Sequence, residues 1–207
     1  MRKLPKAITH DQYLKLLKQA SKETDPELKY KNLTILILLY EAGLRVSDLT
    51  HLKLENIDLN SKTIAILQSK GSKDRIVPIT QNMDYAIRQY LKHRPKTTNP
   101  YLIPGRNIKG KENDPIVRSG VNNMIKALSK TARVKLSDGS YPSPHSLRHG
   151  FATNNLKTGL YNLEELRRLL GHSSIATTSI YTYVEIDDLV NKAQKTPLDS
   201  RITALYS

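Results

Sequence analysis

The stretch from Leu33 to Leu39 constrains the fold more than any other part of the chain. Leu33, Ile35, Leu36, Ile37, Leu38 and Leu39 lie so close together that a helix through them keeps few polar faces. Such a helix belongs in the middle of a fold, with other elements packed around it. Asp25-Pro26-Glu27 supplies its start, and Gly43 ends it in the left-handed position. Upstream, Thr9 followed by Gln12 is a capping-box pattern that opens a helix to about Ala20. Downstream, ENIDLNSKTIAILQSKGSKDRIVPI alternates short β-branched runs with Asn-Ser and Lys-Gly-Ser-Lys turns, the pattern of a small sheet. Asn82 to His93 is helical, and Pro95 to Pro115 lacks periodicity and reads as a long surface loop. Further helices are expected at about Ser119–Thr131, His145–Lys157, Leu163–Leu170, Ile175–Thr182 and Asp187–Gln194. The expected fold class is mainly α with a small antiparallel β-sheet (α+β).

Charge narrows the partner. Lys and Arg number 33 against 19 acids in 207 residues, a net charge of +14. A surplus of this size favours a polyanion, nucleic acid ahead of a ribosomal or membrane-surface setting. Cysteine is absent, which excludes disulfides and thiolate–metal sites. No apolar run approaches a membrane span, and MRKLPKAITHDQ carries no hydrophobic signal core. A cytoplasmic protein without a membrane partner is the expectation.

Six residues carry the chemistry. Arg45 stands in EAGLRVSDL, Lys70 in QSKGSKDRIVPI, His145 and Arg148 in SPHSLRHGFAT, and His172 and Tyr181 in LLGHSSIATTSIYTYV. The first five can donate hydrogen bonds to phosphate oxygen, and the Tyr181 hydroxyl can attack phosphorus. Donors around a nucleophile suit phosphoryl transfer through a covalent intermediate. Arg45 follows the Gly43 turn, with Ser47 and Asp48 as the cap of a following helix; a bare Arg–Asp surface pair is the competing reading. Ser143 suits an N-cap and Pro144 the first helical position, which puts His145 in the first turn, where an anion is favoured. His145 and Arg148, three apart, share a helix face. His145 and His149 have the spacing of a zinc helix, but HSLRH lacks a glutamate between them and carries an arginine that repels a cation. His149 is therefore expected to be structural.

In order and local wording these segments resemble the tyrosine recombinases, the phage-integrase family, from about Leu38 to Val184. The resemblance implies the tyrosine recombinase catalytic-domain fold and site-specific DNA recombinase activity of the integrase, invertase or resolvase type. Tyr181 would be the nucleophile, forming a 3′-phosphotyrosyl link, with His145 as base and Lys70 as general acid. Arg45, Arg148 and His172 would stabilise the equatorial oxygens, and Asp48 would hold the Arg45 fork. Lys73 and Arg75 are expected to contact DNA. Tyr183, two residues from Tyr181, is the competing nucleophile, and the spacing to His172 favours Tyr181. No cofactor or metal is implied. The implied partners are double-stranded DNA and further copies of the chain, as a tetramer on two duplexes. Type IB topoisomerase-like nicking and religation, or a non-catalytic DNA-binding role, are the alternatives.

One departure concerns organisation. Family members carry a helical DNA-clamping domain ahead of the catalytic one, and Met1 to about Lys6 leaves no room for it. The expectation is a catalytic domain over 1–196 with the N-terminal core-binding domain absent, either a short single-domain member or a piece of a longer one. The tail 197–207 offers Ile202, Leu205 and Tyr206 after Pro197. The resemblance points to its docking in trans on a neighbouring protomer, and a tail folded on its own domain is the other reading.

Overall fold

A computed structural model describes residues 7–67, 74–105, 113–171 and 183–206. The helices are α1 (His10–Ala20), α2 (Pro26–Glu41), α3 (Val46–Thr50), α4 (Gln81–His93), α5 (Arg118–Thr131), α6 (Pro144–Thr158), α7 (Leu163–Leu170), α8 (Tyr183–Lys195) and α9 (Ser200–Thr203). Three strands, β1 (Ile57–Asp58), β2 (Thr63–Ile66) and β3 (Arg75–Pro78), form one antiparallel sheet in chain order. The expected α+β class holds. Among the described residues no helix is long and apolar enough to cross a membrane.

Helix α2 is the hub that its composition demands. Every residue from Asn32 to Tyr40 is buried, and α1, α4, α5 and α6 all pack on it. Each fully buried Leu or Ile there contributes about 1.5–3 kcal/mol. Asp25 caps its start by accepting from the Glu27 and Leu28 amides. Past its end Gly43 takes φ +59°, and a Cβ there would lie 2.5 Å from Cδ1 of Phe151. Gly43 thus lets the chain turn sharply while α6 closes on the turn. The Thr9 capping box is present on α1, and Ser143 with Pro144 opens α6 as expected.

In the sheet, Ile64 faces Val77 and Ile66 faces Arg75. Strand alternation puts Arg75 in phase with buried Val77, and the arginine is itself buried. The expected surface loop of residues 95–115 differs where it is described. Leu102 and Ile103 are fully buried, because the backbone around them is satisfied internally. The Arg94 guanidinium donates to the Asn99, Tyr101 and Leu102 carbonyls at 2.7–3.1 Å, and the Leu102 amide to Leu52 at 2.7 Å. The predicted helix over Ile175–Thr182 lies outside the described residues. The helix predicted at Asp187–Gln194 is longer, beginning at Tyr183.

The tail lies on its own domain, the second of the two arrangements the sequence left open. The Leu198 and Asp199 amides donate to the side-chain carbonyls of Gln81 and Asn82, at 3.1 and 2.9 Å. Ile202 and Tyr206 enter the main core. The Tyr206 ring stacks on Tyr30 with centroids 5.5 Å apart and meets Tyr85 edge-on at 5.1 Å. The physical reason is tertiary: α2 and α4 leave an apolar seat that these side chains fill.

Beside that seat lies Glu41, at the end of α2. The residue keeps some exposure, but its carboxylate is surrounded and accepts from Thr80 Oγ1 (2.6 Å), Asn82 Nδ2 (3.0 Å) and Tyr13 Oη (3.4 Å). Burial pushes its carboxyl up to about 7, against these three hydrogen bonds.

Two expected outcomes follow from this packing. Between the ordinary value of 4.5 and about 7, the folded protein keeps a Glu41 proton that the unfolded chain has released. Stability therefore falls as pH rises through that window, by up to about 3 kcal/mol, and is flat above it. Glu41→Gln should remove this dependence, leaving the variant at least as stable as wild type at pH 8, as measured by urea denaturation across pH. Deleting residues 197–207 should destabilise the monomer by about 3 kcal/mol or more through loss of Ile202 and Tyr206. A tail that docked only in trans would leave monomer stability unchanged.

Candidate functional site: an arginine cluster at the end of α7

Three guanidinium groups converge on the C-terminus of α7. The last carbonyls of a helix lack intrahelical donors and carry the negative end of its dipole. Arg75 Nε donates to the Leu169 carbonyl at 2.8 Å, Arg148 Nη2 to Leu170 at 2.5 Å, and Arg45 Nη2 to Gly171 at 2.8 Å. Three consecutive carbonyls thus each accept from a different arginine, and the three arginines come from β3, α6 and the start of α3. Arg148 also donates from Nη1 to the Gly43 carbonyl at 2.6 Å, tying the turn after α2 into the same knot.

Local structure explains each position. Arg45 is itself the N-cap of α3, two residues before the expected cap. The Asp48 carboxylate, at the third helical position, accepts from the Arg45 amide at 3.1 Å. The guanidinium it holds is that of Arg75, at 2.5 Å, with both side chains almost fully buried. Asp48 was expected to hold the Arg45 fork; its effect on Arg45 runs instead through the backbone, because Arg75 reaches the carboxylate from the inward face of β3. For the same reason Arg75, expected to contact DNA, is an internal residue. Sequence reasoning missed this, although the inward phase it shares with Val77 was legible.

His145 sits in the first turn of α6, exposed, where Ser143 accepts from the Ser146 amide at 3.3 Å. Its Nε2 lies 2.8 Å from Nε2 of His149, one turn on. That contact needs one ring to donate and the other to accept, so His149 orients His145 rather than merely filling space. Leu44, Arg45, Val46, Ser47, Pro144, His145 and Arg148 line an open cleft of about 330 Å³. The starts of α3 and α6 both face it.

The electrostatics favour an anion in the cleft. Among the described residues, Arg45, Arg75 and Arg148 are accompanied by one carboxylate, Asp48. Burial first, then the Arg45 and Arg75 charges, bring the Arg148 guanidinium down to about 10, with Asp48 opposing. It stays charged near neutrality, and an oxyanion would relieve the repulsion. Nη1 of Arg45 and Nη1 of Arg75 are buried without a hydrogen-bond partner among the described residues. Both approach Gly171. Among the described residues no cluster of three or more His, Asp or Glu side chains could hold a metal ion. Lys70, Lys73, His172 and Tyr181 lie outside the described residues.

Gly171 is the tight point. It caps α7 at φ +64°, and a Cβ there would sit 3.2 Å from Arg75 Cδ, 3.4 Å from Arg75 Nη1 and 3.5 Å from Arg45 Nη1. Gly171→Ala should cost about 1–2 kcal/mol from left-handed backbone strain. It should also press on Arg75, whose Cδ is the tight contact at 3.2 Å, so phosphate binding should weaken by more than the loss of folded protein explains. Urea denaturation and a phosphate affinity measured per folded molecule check the two parts.

The phage integrase family profile matches residues 6–187. The chain is 34% identical over 201 residues to the tyrosine recombinase XerA of Thermococcus kodakarensis, covering 97% of this chain and 66% of that relative. It is 37% identical over 194 residues to the tyrosine recombinase XerD of Staphylococcus aureus, covering 88% of this chain and 59% of that relative. It therefore spans less than two thirds of these relatives. Among solved structures, a crystal structure of XerA recombinase superposes with a TM-score of 0.70 at 26% identity, over 99% of this chain and 63% of that one. XerH recombinase bound to its difH substrate, in a pre-cleavage complex, shares the fold with a TM-score of 0.67 at 21% identity, over 83% of this chain and 48% of that one. A profile that covers most of the chain, on a fold that gathers Arg45, His145 and Arg148 at one cleft, places the chain in the phage integrase family, the tyrosine recombinases.

Proposed function

We propose that this chain is the catalytic domain of a site-specific DNA recombinase that cuts and rejoins strands through a 3′-phosphotyrosyl intermediate. The observation that carries the reading is the cleft where Arg45, Arg148 and His145 meet, cationic and open on one side. The names of the relatives, tyrosine recombinases, and the difH substrate bound to the site-specific recombinase XerH support duplex DNA as the partner.

In this mechanism Tyr181 attacks the scissile phosphorus, its proton passing to a base, His145. The bond to the 5′ oxygen breaks, and Lys70 protonates that oxygen as it leaves. Arg45, Arg148 and His172 bind the non-bridging oxygens, whose charge is most exposed in the transition state. A 5′-hydroxyl from a partner duplex then attacks the phosphotyrosyl link and releases Tyr181. The energy of the ester is conserved in the link, so no ATP is consumed. The phenol is a weak nucleophile at neutral pH because its pKa lies near 10, hence the need for a base and nearby cations. Lys73 contacts the DNA backbone in the same proposal. So do assembly as four protomers on two duplexes and a cytoplasmic setting.

A duplex site recovered by trapping protein-linked genomic fragments, then nicked near the cleavage point, tests the reading. In EDTA the wild type should accumulate a covalent adduct. Tyr181→Phe should abolish it, and Tyr183→Phe should retain it. An adduct mapped by peptide mass to Tyr183 or Tyr206 would overturn the nucleophile assignment, and rescue only by added magnesium would overturn the chemistry. Exchange between two duplexes, rather than religation of one strand, separates a recombinase from a topoisomerase.

A further inference from the structure

Arg75 has no part in the mechanism above, yet it is built into the centre of the site. Its side chain is 1% exposed, so it cannot lie along a DNA groove as a surface lysine would. It makes two kinds of bond at once. One fork nitrogen pairs with Asp48, whose carboxylate also receives the Arg45 amide. Its Nε bonds the Leu169 carbonyl, two residues before the Gly171 carbonyl that receives Arg45. Arg75 therefore reaches Arg45 by two routes, one through the start of α3 and one through the end of α7. Leu170, between the two carbonyls, receives Arg148.

We propose that Arg75 is a positioning residue of the recombinase reaction: its guanidinium, held by Asp48, sets Arg45 and the α7 terminus in the arrangement that binds the scissile phosphate. The inference rests on the proposed function. An ordinary buried ion pair does not account for the site. A third guanidinium beside Arg45 and Arg148 adds like-charge repulsion to a desolvated cluster, and an apolar residue of similar volume would avoid it. Placed here, the planar fork fixes two elements at a defined angle through directional bonds to Asp48 and Leu169. Lysine has the charge without the fork, and methionine has the volume without either.

Arg75→Lys, Arg75→Met and Asp48→Asn test this on the nicked duplex described above. Three quantities are measured for each: stability in urea, DNA affinity with its salt dependence, and the single-turnover rate of adduct formation at saturating DNA. For Arg75→Met and Asp48→Asn the saturating rate should fall about 100-fold, the scale of a misplacement near 1 Å. Affinity should stay within about threefold and its salt slope should not change, since no phosphate contact is lost. Arg75→Lys should fall between Arg75→Met and wild type. A normal saturating rate with weaker, less salt-sensitive binding would make Arg75 a DNA contact and overturn the inference. A normal rate per folded molecule with lowered stability would make it structural only, and would also overturn it. Asp48→Asn keeps the test decisive if Arg75→Met does not fold. Absence of any adduct from the wild type would count against the proposed function instead, so the two failures are distinguishable.

Discussion

The capping of the α7 C-terminus by three guanidinium groups is the interaction on which the site depends. Helix α7 is not part of the main core. With α6 and α8 it packs into a small separate cluster of Phe151, Tyr161, Leu166, Leu169, Leu170 and Leu189. An apolar cluster of this size holds the helix without fixing its end closely, because packing is non-directional. Directionality comes from Arg45, Arg75 and Arg148, each bonded to a different carbonyl. The same bonds hold the arginines for an anion, so the helix end serves as their template.

Cationic groups gathered in a partly buried site repel one another and lose hydration. The fold meets this in two ways. Asp48 supplies one counter-charge, shared between the Arg75 guanidinium and the start of α3. The α7 carbonyls supply the negative end of a helix dipole. Neither neutralises the cluster among the described residues, and the remaining positive charge favours an anion in the cleft. Helix α2, buried from Asn32 to Tyr40, is the scaffold on which these elements pack.

Much of the fold was legible because it is local. The Thr9 capping box, the Asp25-Pro26 start of α2, the Gly43 turn and the Ser143-Pro144 start of α6 each appear where the sequence places them. All four are decided by hydrogen bonds or backbone preferences within a few residues. The tail, the 95–115 segment and Arg75 were less legible. Tyr206 meets Tyr30 across 176 positions of chain, and Arg75 meets Leu169 across 94. No local pattern reports such partners. A charged residue after a turn reads as exposed unless strand phase is weighed against it.

The sequence alone determined that a central apolar helix would organise an α+β domain, that the domain would be strongly basic, and which residues could serve a phosphate. Those conclusions follow from side-chain chemistry and spacing, which survive without coordinates. Only the tertiary structure decided that Asp48 pairs with Arg75, that Arg75 is internal, that the tail closes on its own domain and that Glu41 is desolvated beside it. Each of these depends on which distant surfaces are excluded from water together. Burial changes both the preferred charge state and the available partners of a polar group, and it is a property of the packed chain.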